Sequence, residues 1–168
     1  MRTTPFLSLF LLLAVLCFSA QSADTREFAA LVVSVADGDT ITVLTQNKQQ
    51  VKIRLYGIDC PEKGQAFGNR AKQTASEAVH GKNVTVLAMD TDRYGRTVAI
   101  VFMPDGKSLN AHLVREGMAW VYPQYCKRND ICRPLRELEQ AARASKRGLW
   151  LDKNPMTPWE WRKLRRGK

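Results

Sequence analysis

Four acidic residues lie in turns among β-branched neighbours rather than along one face of a helix. Asp37 and Asp39 flank a glycine, and Asp59 and Glu62 flank a Cys-Pro pair. Carboxylate oxygens are the ligands that calcium and magnesium prefer in proteins. If both turns lie at one rim of a barrel, Asp39 and Asp59 could hold one divalent cation. The alternative is that these acids only complete two turns.

The backbone of Cys60 could add a further oxygen to the same cation. Pro61 disfavours helical conformation at the residue before it, so we expect Cys60 to be extended with its carbonyl free. The thiol itself is a poor ligand for calcium, which binds oxygen. This interpretation requires only the main chain of Cys60.

Two arginines could complete a site for a phosphodiester. Arg54 alternates with Ile53 and Leu55, which take the opposite face of a strand. Arg96 follows a Tyr-Gly turn that could bring it to the same rim. Planar guanidinium groups bind phosphate through paired hydrogen bonds, so two of them beside a cation and a loose carboxylate could clamp a phosphodiester. The alternative for Arg54 is an ordinary solvated position on the outer strand face.

Five short strands must position these side chains. Alternation and β-branched residues predict three strands, in residues 31–35, 41–43 and 51–55. Two more are predicted in residues 84–89 and 98–102, on either side of an Asp-Arg-Tyr-Gly turn. Because the acidic turns follow the first and third strands, the rim of this sheet is the predicted site.

Three helices are predicted around the strands. Apolar spacing predicts one in residues 69–79, and Ser108 can cap a second short one. The last is predicted to open at the Arg133-Pro134 pair and to end at Gly148. Five strands with a helix after the third favour a small OB-type β-barrel with helices over an open parallel sheet. Another α+β sandwich is the alternative.

The amino terminus resembles an export signal. Arg2 precedes an apolar run in residues 6–18, and small residues follow at positions 20, 22 and 23. The run is shorter than the about 20 residues of a membrane-spanning helix, so a cleaved signal in residues 1–23 is favoured over an uncleaved anchor. Cleavage of this signal would also remove Cys17. We therefore expect a secreted or periplasmic protein without stable membrane association.

The remaining cysteines then lie in an oxidising compartment. Cys126 and Cys132 are close enough in sequence to form a disulfide, which leaves Cys60 free. A zinc site is the competing interpretation, but the cysteines with His80 and His112 match no usual ligand spacing. The disulfide is the favoured prediction.

Composition limits the class of protein. The 168 residues are 45% apolar and 25% charged, which excludes a disordered chain, a collagen and a multispan membrane protein. Residues 24–168 have the size of a single domain, with a core in about 28–150 and a basic, Trp-rich tail in 151–168. A net charge of +10 favours an anionic partner such as nucleic acid, although many basic proteins bind nothing specific.

Three motifs together resemble the thermonucleases, the staphylococcal-nuclease-like family. They are Asp-Gly-Asp-Thr at 37–40, the segment from Ile53-Arg54-Leu55 to Asp-Cys-Pro-Glu at 59–62, and Asp-Arg-Tyr-Gly-Arg at 92–96. Their order and spacing are typical of that family from about residue 31 to 150. The resemblance implies a five-stranded OB-fold and a Ca²⁺-dependent endonuclease that acts on DNA and RNA and leaves 3′-phosphate ends.

The resemblance also implies roles for individual residues. Asp39, Asp59 and the Cys60 carbonyl correspond to calcium ligands, while Arg54, Glu62 and Arg96 correspond to the catalytic trio. Candidate substrate contacts are Lys63, Tyr94, Tyr122 and Tyr125. Cys60 stands where well-known relatives have threonine, and the loop 63–68 is shorter than in the prototype, so specificity could differ.

Two other classes of function compete with a monomeric nuclease. A non-catalytic OB-fold module could bind single strands through basic and aromatic contacts, and Trp120 could stack on bases or pack in the core. A basic secreted protein could simply adhere to anionic surfaces. Neither class requires three carboxylates and two arginines in register, and their presence favours the enzyme.

Overall fold

A computed structural model describes residues 27–167 of the chain. The predicted signal in residues 1–23 lies outside the described residues and stays a prediction. The strands are β1 (Glu27–Val35), β2 (Thr40–Thr45), β3 (Gln50–Leu55), β4 (Ile58–Asp59), β5 (Asn83–Thr91), β6 (Thr97–Phe102) and β7 (Trp120–Val121). The helices are α1 (Gly68–Val79), α2 (Leu109–Arg115), α3 (Asn129–Ala144) and α4 (Pro158–Arg166), with a short 3₁₀-helix at Gly148–Leu151.

Five of the strands close into a barrel in the order β1-β2-β3-β6-β5, with β5 paired to β1. The β3–β6 pair is parallel and the other four pairs are antiparallel. Closure removes the exposed sheet edges that would otherwise invite pairing with other chains. The predicted five-stranded OB-type barrel with helices is confirmed.

Alternating side chains fill the barrel interior. Ile41 and Val43 of β2 and Ile53 of β3 are completely buried, and Leu55 is nearly so. Arg54 lies between two of these inward-facing positions, so its side chain leaves the barrel on the opposite face. The hydrophobic pattern of β3 thus determines where the guanidinium points.

The strand register brings three chain segments to one end of the barrel. Thr40, at the start of β2, lies opposite Arg54, near the end of β3. Thr97, at the start of β6, lies opposite Ile53. The turn before β2, the end of β3 and the turn before β6 therefore meet, and these are the segments that carry the candidate chemistry.

A two-stranded sheet that the sequence does not predict fixes Asp59. Ile58 pairs with Val121, and Asp59 pairs with Trp120, as β4 and β7. Strands of two residues are too short to show an alternating pattern, so only the tertiary structure reveals them. The pairing holds the backbone of Asp59 against the segment that precedes α3.

The first two helices match the prediction closely. Ala71, Ala75 and Val79 form the buried face of α1. Ser108 caps α2 by accepting a hydrogen bond from the Ala111 amide. On α2 the buried Asn110 accepts a hydrogen bond from the Val101 amide and donates one to the Tyr56 carbonyl, which ties the helix to the barrel.

The prediction that the last helix opens at Arg133 and runs to Gly148 is wrong at both ends. Helix α3 begins four residues earlier, at Asn129, and ends at Ala144. Tyr56 Oη accepts hydrogen bonds from the amides of Lys127 and Arg128, which orients the chain just before the first turn. The missing N–H of Pro134 removes only one bond near the helix start.

The basic, Trp-rich tail after residue 150 contains helix α4. Thr157 and Glu160 form a capping box, with Pro158 in the first turn. Trp159 packs against a second small core made of Trp120, Ala142, Leu149 and Trp150. Trp120 is buried there, so it packs in the core and does not face solvent. In residues 27–167 no helix has the length and apolar character needed to cross a membrane.

Candidate active site

Two buried carboxylates meet at one end of the barrel. Asp39 directly precedes β2, and its carbonyl accepts a hydrogen bond from the Leu55 amide at 2.9 Å, which joins the turn to the end of β3. Asp59 ends β4 and is only 1% exposed. Charged carboxylates are rarely buried without partners, so each needs a nearby counter-charge.

Arg54 supplies that counter-charge to both acids. Its Nη1 lies 2.7 Å from Asp39 Oδ1, and its Nη2 donates a hydrogen bond to Asp59 Oδ1 at 2.6 Å. The Nη1 contact is an ion pair whose N–H direction is poor for a hydrogen bond. One planar guanidinium therefore bridges the two residues that the sequence nominates as cation ligands.

Burial raises the pKa of Asp39 to about 7, and the neighbouring Arg54 only partly offsets this. The negative charges of Asp37 and Asp59 raise it further, while the hydrogen bond from the Cys60 amide lowers it. Asp39 thus lacks full charge compensation from the protein. A site of this kind favours an additional positive charge.

Cys60 lies directly against these acids. Its amide donates a hydrogen bond to Asp39 Oδ2 at 2.6 Å. Its side chain is buried against the turn at Gly38, where an added Cβ would lie only 2.7 Å from the Cys60 sulfur. Burial raises the pKa of this thiol well above its usual range, so Cys60 contributes a neutral side chain.

Glu62 lies in the loop after Cys60, and its side chain is 37% exposed. Its amide donates a hydrogen bond to Gln65 Oε1 at 3.0 Å, which fixes the loop. At Gly68 an added Cβ would lie 2.1 Å from the Glu62 carbonyl oxygen, so the start of α1 packs directly under Glu62. This close approach explains the glycine at the first residue of the helix.

Arg96 connects to the same cluster through Thr40. Its Nη1 lies 3.5 Å from Thr40 Oγ1, and that hydroxyl lies 3.3 Å from Asp39 Oδ1. On its other side, Arg96 Nε donates a hydrogen bond to Asp92 Oδ2 at 2.7 Å. Asp92 Oδ1 also accepts a hydrogen bond from the Arg96 amide, which stabilises the turn before β6.

Residues 52–152 match the family model described as Staphylococcal nuclease homologue. The chain belongs to this family. The matched segment includes Arg54, Asp59, Glu62 and Arg96, while Asp39 lies before it. The family and the observed barrel agree with the resemblance carried by the three sequence motifs.

Curated relatives agree with this assignment. The chain is 43% identical over 145 residues to a micrococcal nuclease of Shigella flexneri, with 82% of each chain covered. It is 42% identical over 149 residues to an uncharacterized endonuclease of Haemophilus influenzae, covering 88% of this chain and 81% of the relative. A third relative, an uncharacterized endonuclease of Escherichia coli O157:H7, is 47% identical over 131 residues, covering 78% of this chain and 82% of the relative.

No sequence pattern singles out one further arginine at the site of this staphylococcal nuclease homologue. Arg162 of α4 donates hydrogen bonds to Asp59 Oδ2 at 2.7 Å and to Asp59 Oδ1 at 3.3 Å. Its Nη1 also donates to Glu62 Oε1 at 2.5 Å. Burial works against its charge, but these hydrogen bonds outweigh that effect and raise the pKa of Arg162.

The candidate substrate contacts lie in three separate segments. Tyr94 is 68% exposed on the turn before Arg96, whose guanidinium carbon lies 5.5 Å from its ring centre. Tyr122 and Tyr125 stack edge to face after β7, with ring centres 4.9 Å apart. Lys63 is exposed in the loop beside Glu62. Lys63 directly follows Glu62 in sequence, and Tyr94 lies two positions before Arg96.

The predicted disulfide pair also lies after β7. Cys126 and Cys132 are bonded, with their Cα atoms 5.7 Å apart. The bridge joins the segment after Tyr122 to the first turn of α3. It packs against the strand connection at Gly57, where an added Cβ would lie 2.7 Å from the Cys126 sulfur.

The donor set suits a hard divalent cation by chemical type. Asp39 and Asp59 offer carboxylate oxygens, and burial makes the charged form of Asp39 costly and raises its pKa to about 7. Between residues 27 and 167 there is no preassembled group of three or more ligating His, Cys, Asp or Glu side chains. A cation at this site would therefore depend on two carboxylates together with backbone oxygen and water.

Proposed function

We propose that this staphylococcal nuclease homologue is a Ca²⁺-dependent endonuclease that hydrolyses phosphodiester bonds of DNA and RNA with little sequence specificity. The products would carry 3′-phosphate ends. The single observation that carries the proposal is the bridge from Arg54 to both Asp39 and Asp59. That bridge gathers two hard-oxygen ligands and a phosphate-binding group in one place.

The two arginines are proposed to bind the scissile phosphate. Hydrolysis builds negative charge on the phosphate oxygens, and Arg54 and Arg96 stabilise that charge more strongly in the transition state than in the bound substrate. Arg96 is proposed to lie near the departing 5′ oxygen. The contact of Arg96 with Asp92 fixes its side chain before substrate arrives, which reduces the cost of ordering it.

Glu62 is proposed to orient or deprotonate the attacking water. Its partly exposed carboxylate lies in the loop next to the buried acids, where water can reach it. Its role as a base requires release from Arg162, because the Oε1 that accepts a hydrogen bond from that guanidinium is not free to accept a proton from water. General base catalysis of this kind contributes typically about 10² to 10⁴ in rate.

Calcium would be held by Asp39, Asp59 and the Cys60 carbonyl, and when bound it supplies positive charge that polarises the phosphate. The Cys60 side chain takes no part in this proposal, because its thiol is buried, neutral and of the wrong chemical type. The amide of Cys60 on Asp39 orients that carboxylate.

We further propose that the protein acts as a monomer in the periplasm or outside the cell, after cleavage of the predicted signal and without stable membrane attachment. The disulfide between Cys126 and Cys132 supports this proposal, because such bonds persist in oxidising compartments.

The proposed function is tested with purified mature protein, plasmid DNA and a structured RNA. Both substrates should be degraded with added calcium and remain intact with excess chelator, and end-group analysis should find 3′-phosphates. Intact substrate under both conditions, together with retention of labelled single strands in a gel shift, would instead identify the non-catalytic binding module. Cleavage that survives the chelator would contradict calcium dependence.

A further inference from the structure

Helix α4 and the segment just before it contact the candidate active site at three points. Arg162 binds Asp59 and Glu62, as described above. Trp159 stacks on Tyr122 with ring centres 4.7 Å apart and an interplanar angle of 8°. Gln65, in the loop that carries Glu62, donates a hydrogen bond to the Met156 carbonyl at 2.7 Å. The helix is thus attached to Asp59 and Glu62, which the proposed reaction uses, and to the neighbouring Tyr122.

The Arg162 contact takes up oxygens that a cation would need. Asp59 Oδ1 receives hydrogen bonds from both Arg54 and Arg162, and Asp59 Oδ2 receives one from Arg162. The Asp59 side chain is almost completely buried, so few other approaches to its oxygens exist. The Arg162 guanidinium supplies positive charge to both Asp59 and Glu62, as a bound cation would.

The Trp159 contact takes up an aromatic face that a base would need. The nearly parallel stack covers one face of Tyr122, a candidate substrate contact, and Tyr125 packs edge to face against the same ring. Stacking on an aromatic ring is the sequence-tolerant way in which proteins hold single-stranded bases. Trp159 therefore lies where a nucleobase would otherwise stack.

We infer that α4 is an internal competitor of both ligands, with Arg162 in competition with the divalent cation and Trp159 in competition with a nucleobase. Cation binding and undocking of α4 are then linked. The inference rests on the proposed function, because it takes Asp59 as a cation ligand and Glu62 as the water-orienting group. This form of regulation would lie outside the part of the chain that matches the family model, because that match ends at residue 152 and α4 begins at Pro158.

Thermodynamic linkage makes the inference reciprocal. If Arg162 and calcium exclude each other from Asp59, then loss of Arg162 strengthens calcium binding, and calcium weakens docking of α4 by the same factor. A residue that merely orients Asp59 for calcium has the opposite effect, because its loss weakens calcium binding. The sign of the change separates the two roles.

Calorimetric titration of calcium into Arg162→Gln and the wild-type protein, without nucleic acid, measures that sign. We expect the variant to bind calcium about tenfold more tightly, because the two charge-assisted hydrogen bonds from Arg162 to Asp59 no longer compete with the cation. Arg165→Gln is the matched control, since it removes the same charge from the same helix at an exposed position. Equal or weaker binding by Arg162→Gln, or equal strengthening by Arg165→Gln, would overturn the inference.

Trp159→Ala provides a second variant that leaves every charge in place. It removes the stack on Tyr122 and should also strengthen calcium binding, because docking of α4 becomes weaker. A calcium affinity unchanged in Trp159→Ala would contradict the linkage between the two contacts.

Hydrogen exchange of the full mature protein provides an independent readout. Calcium should accelerate amide exchange in residues 158–166 of the wild type, while α2 stays protected. In Arg162→Gln the same segment should exchange rapidly without calcium. Slower exchange of α4 on calcium addition would overturn the inference.

These binding and exchange measurements are independent of catalysis. A protein that shows the linkage but cleaves no nucleic acid would refute the proposed function and leave the inference standing. A protein that cleaves with calcium but shows no linkage would refute the inference alone.

Discussion

Arg162 and Asp59 are 103 positions apart in the chain, yet their side chains form a hydrogen bond of 2.7 Å. Arg54 approaches the same carboxylate from the barrel side. Asp59 therefore lies between one arginine that the fold supplies and another that the carboxyl-terminal helix supplies. Arg54 takes part in the proposed chemistry, whereas Arg162 occupies the oxygens of Asp59 that face α4.

Arg54→Lys should lower kcat/KM by about 10²-fold or more. A single ammonium group cannot span Asp39 and Asp59 and also present a planar pair of donors to phosphate. Lys52→Gln, at an exposed position on the same face of β3, is the control and should change the rate little. Steady-state kinetics on DNA measures both variants, and near-normal kinetics for Arg54→Lys would refute the proposed phosphate clamp.

Glu62→Gln should reduce turnover by roughly 10²-fold or more while the thermal unfolding temperature changes little. The amide keeps the size of the side chain but cannot accept a proton from water. Glu77→Gln, on the exposed face of α1, is a matched control that should retain full activity. Equal turnover for Glu62→Gln and the wild type would assign water activation to another group.

Asp92→Asn should destabilise the protein at neutral pH and much less in acid. Although slight burial opposes the shift, hydrogen bonds from Arg96 lower the pKa of Asp92 below its ordinary 3.8. An acid with a lowered pKa stabilises the fold above its ordinary pKa, and this contribution disappears as the pH falls through the folded value. Denaturant unfolding of both proteins at pH 7 and at about pH 3 measures the difference, and a gap that stays constant would contradict this account.

Replacement of Cys126 and Cys132 together by serine should lower the free energy of unfolding by about 2 kcal/mol, because the bridge closes only a short loop. The two cysteines are six positions apart. Reductant should destabilise the wild type by a similar amount and leave the double variant unchanged. A further loss of stability in the reduced variant would point to a different thiol.

Local sequence patterns predict most of the barrel and two helices. Alternation in β3 places Ile53 and Leu55 inside, and helical spacing of alanines in α1 identifies its buried face. Both patterns depend on neighbours a few residues apart, so they can be read from the chain directly. The motif residues Asp39, Arg54 and Asp59 meet because the strand ends that carry them are brought together by register.

The remaining features depend on contacts between distant segments. Helix α3 starts before Pro134 because Tyr56 holds the preceding amides, and no local pattern records that contact. From the sequence we expect only a basic tail after residue 150, although the spacing of Thr157 and Glu160 is a capping-box signal for the start of α4. Helix α4 carries several basic residues, and the way it docks determines that Arg162 is the one that reaches Asp59. The sequence pattern of the helix does not contain that information.

The alternation of inward and outward side chains along β3 makes this part of the gene intolerant of insertions and deletions. A single codon gained or lost within β3 would shift Arg54 by one position, and its side chain would then face the barrel interior in place of Ile53 or Leu55. Length changes among homologues should therefore accumulate in the hairpin between β2 and β3 and spare the strand itself. Libraries built to alter this enzyme can vary that hairpin freely.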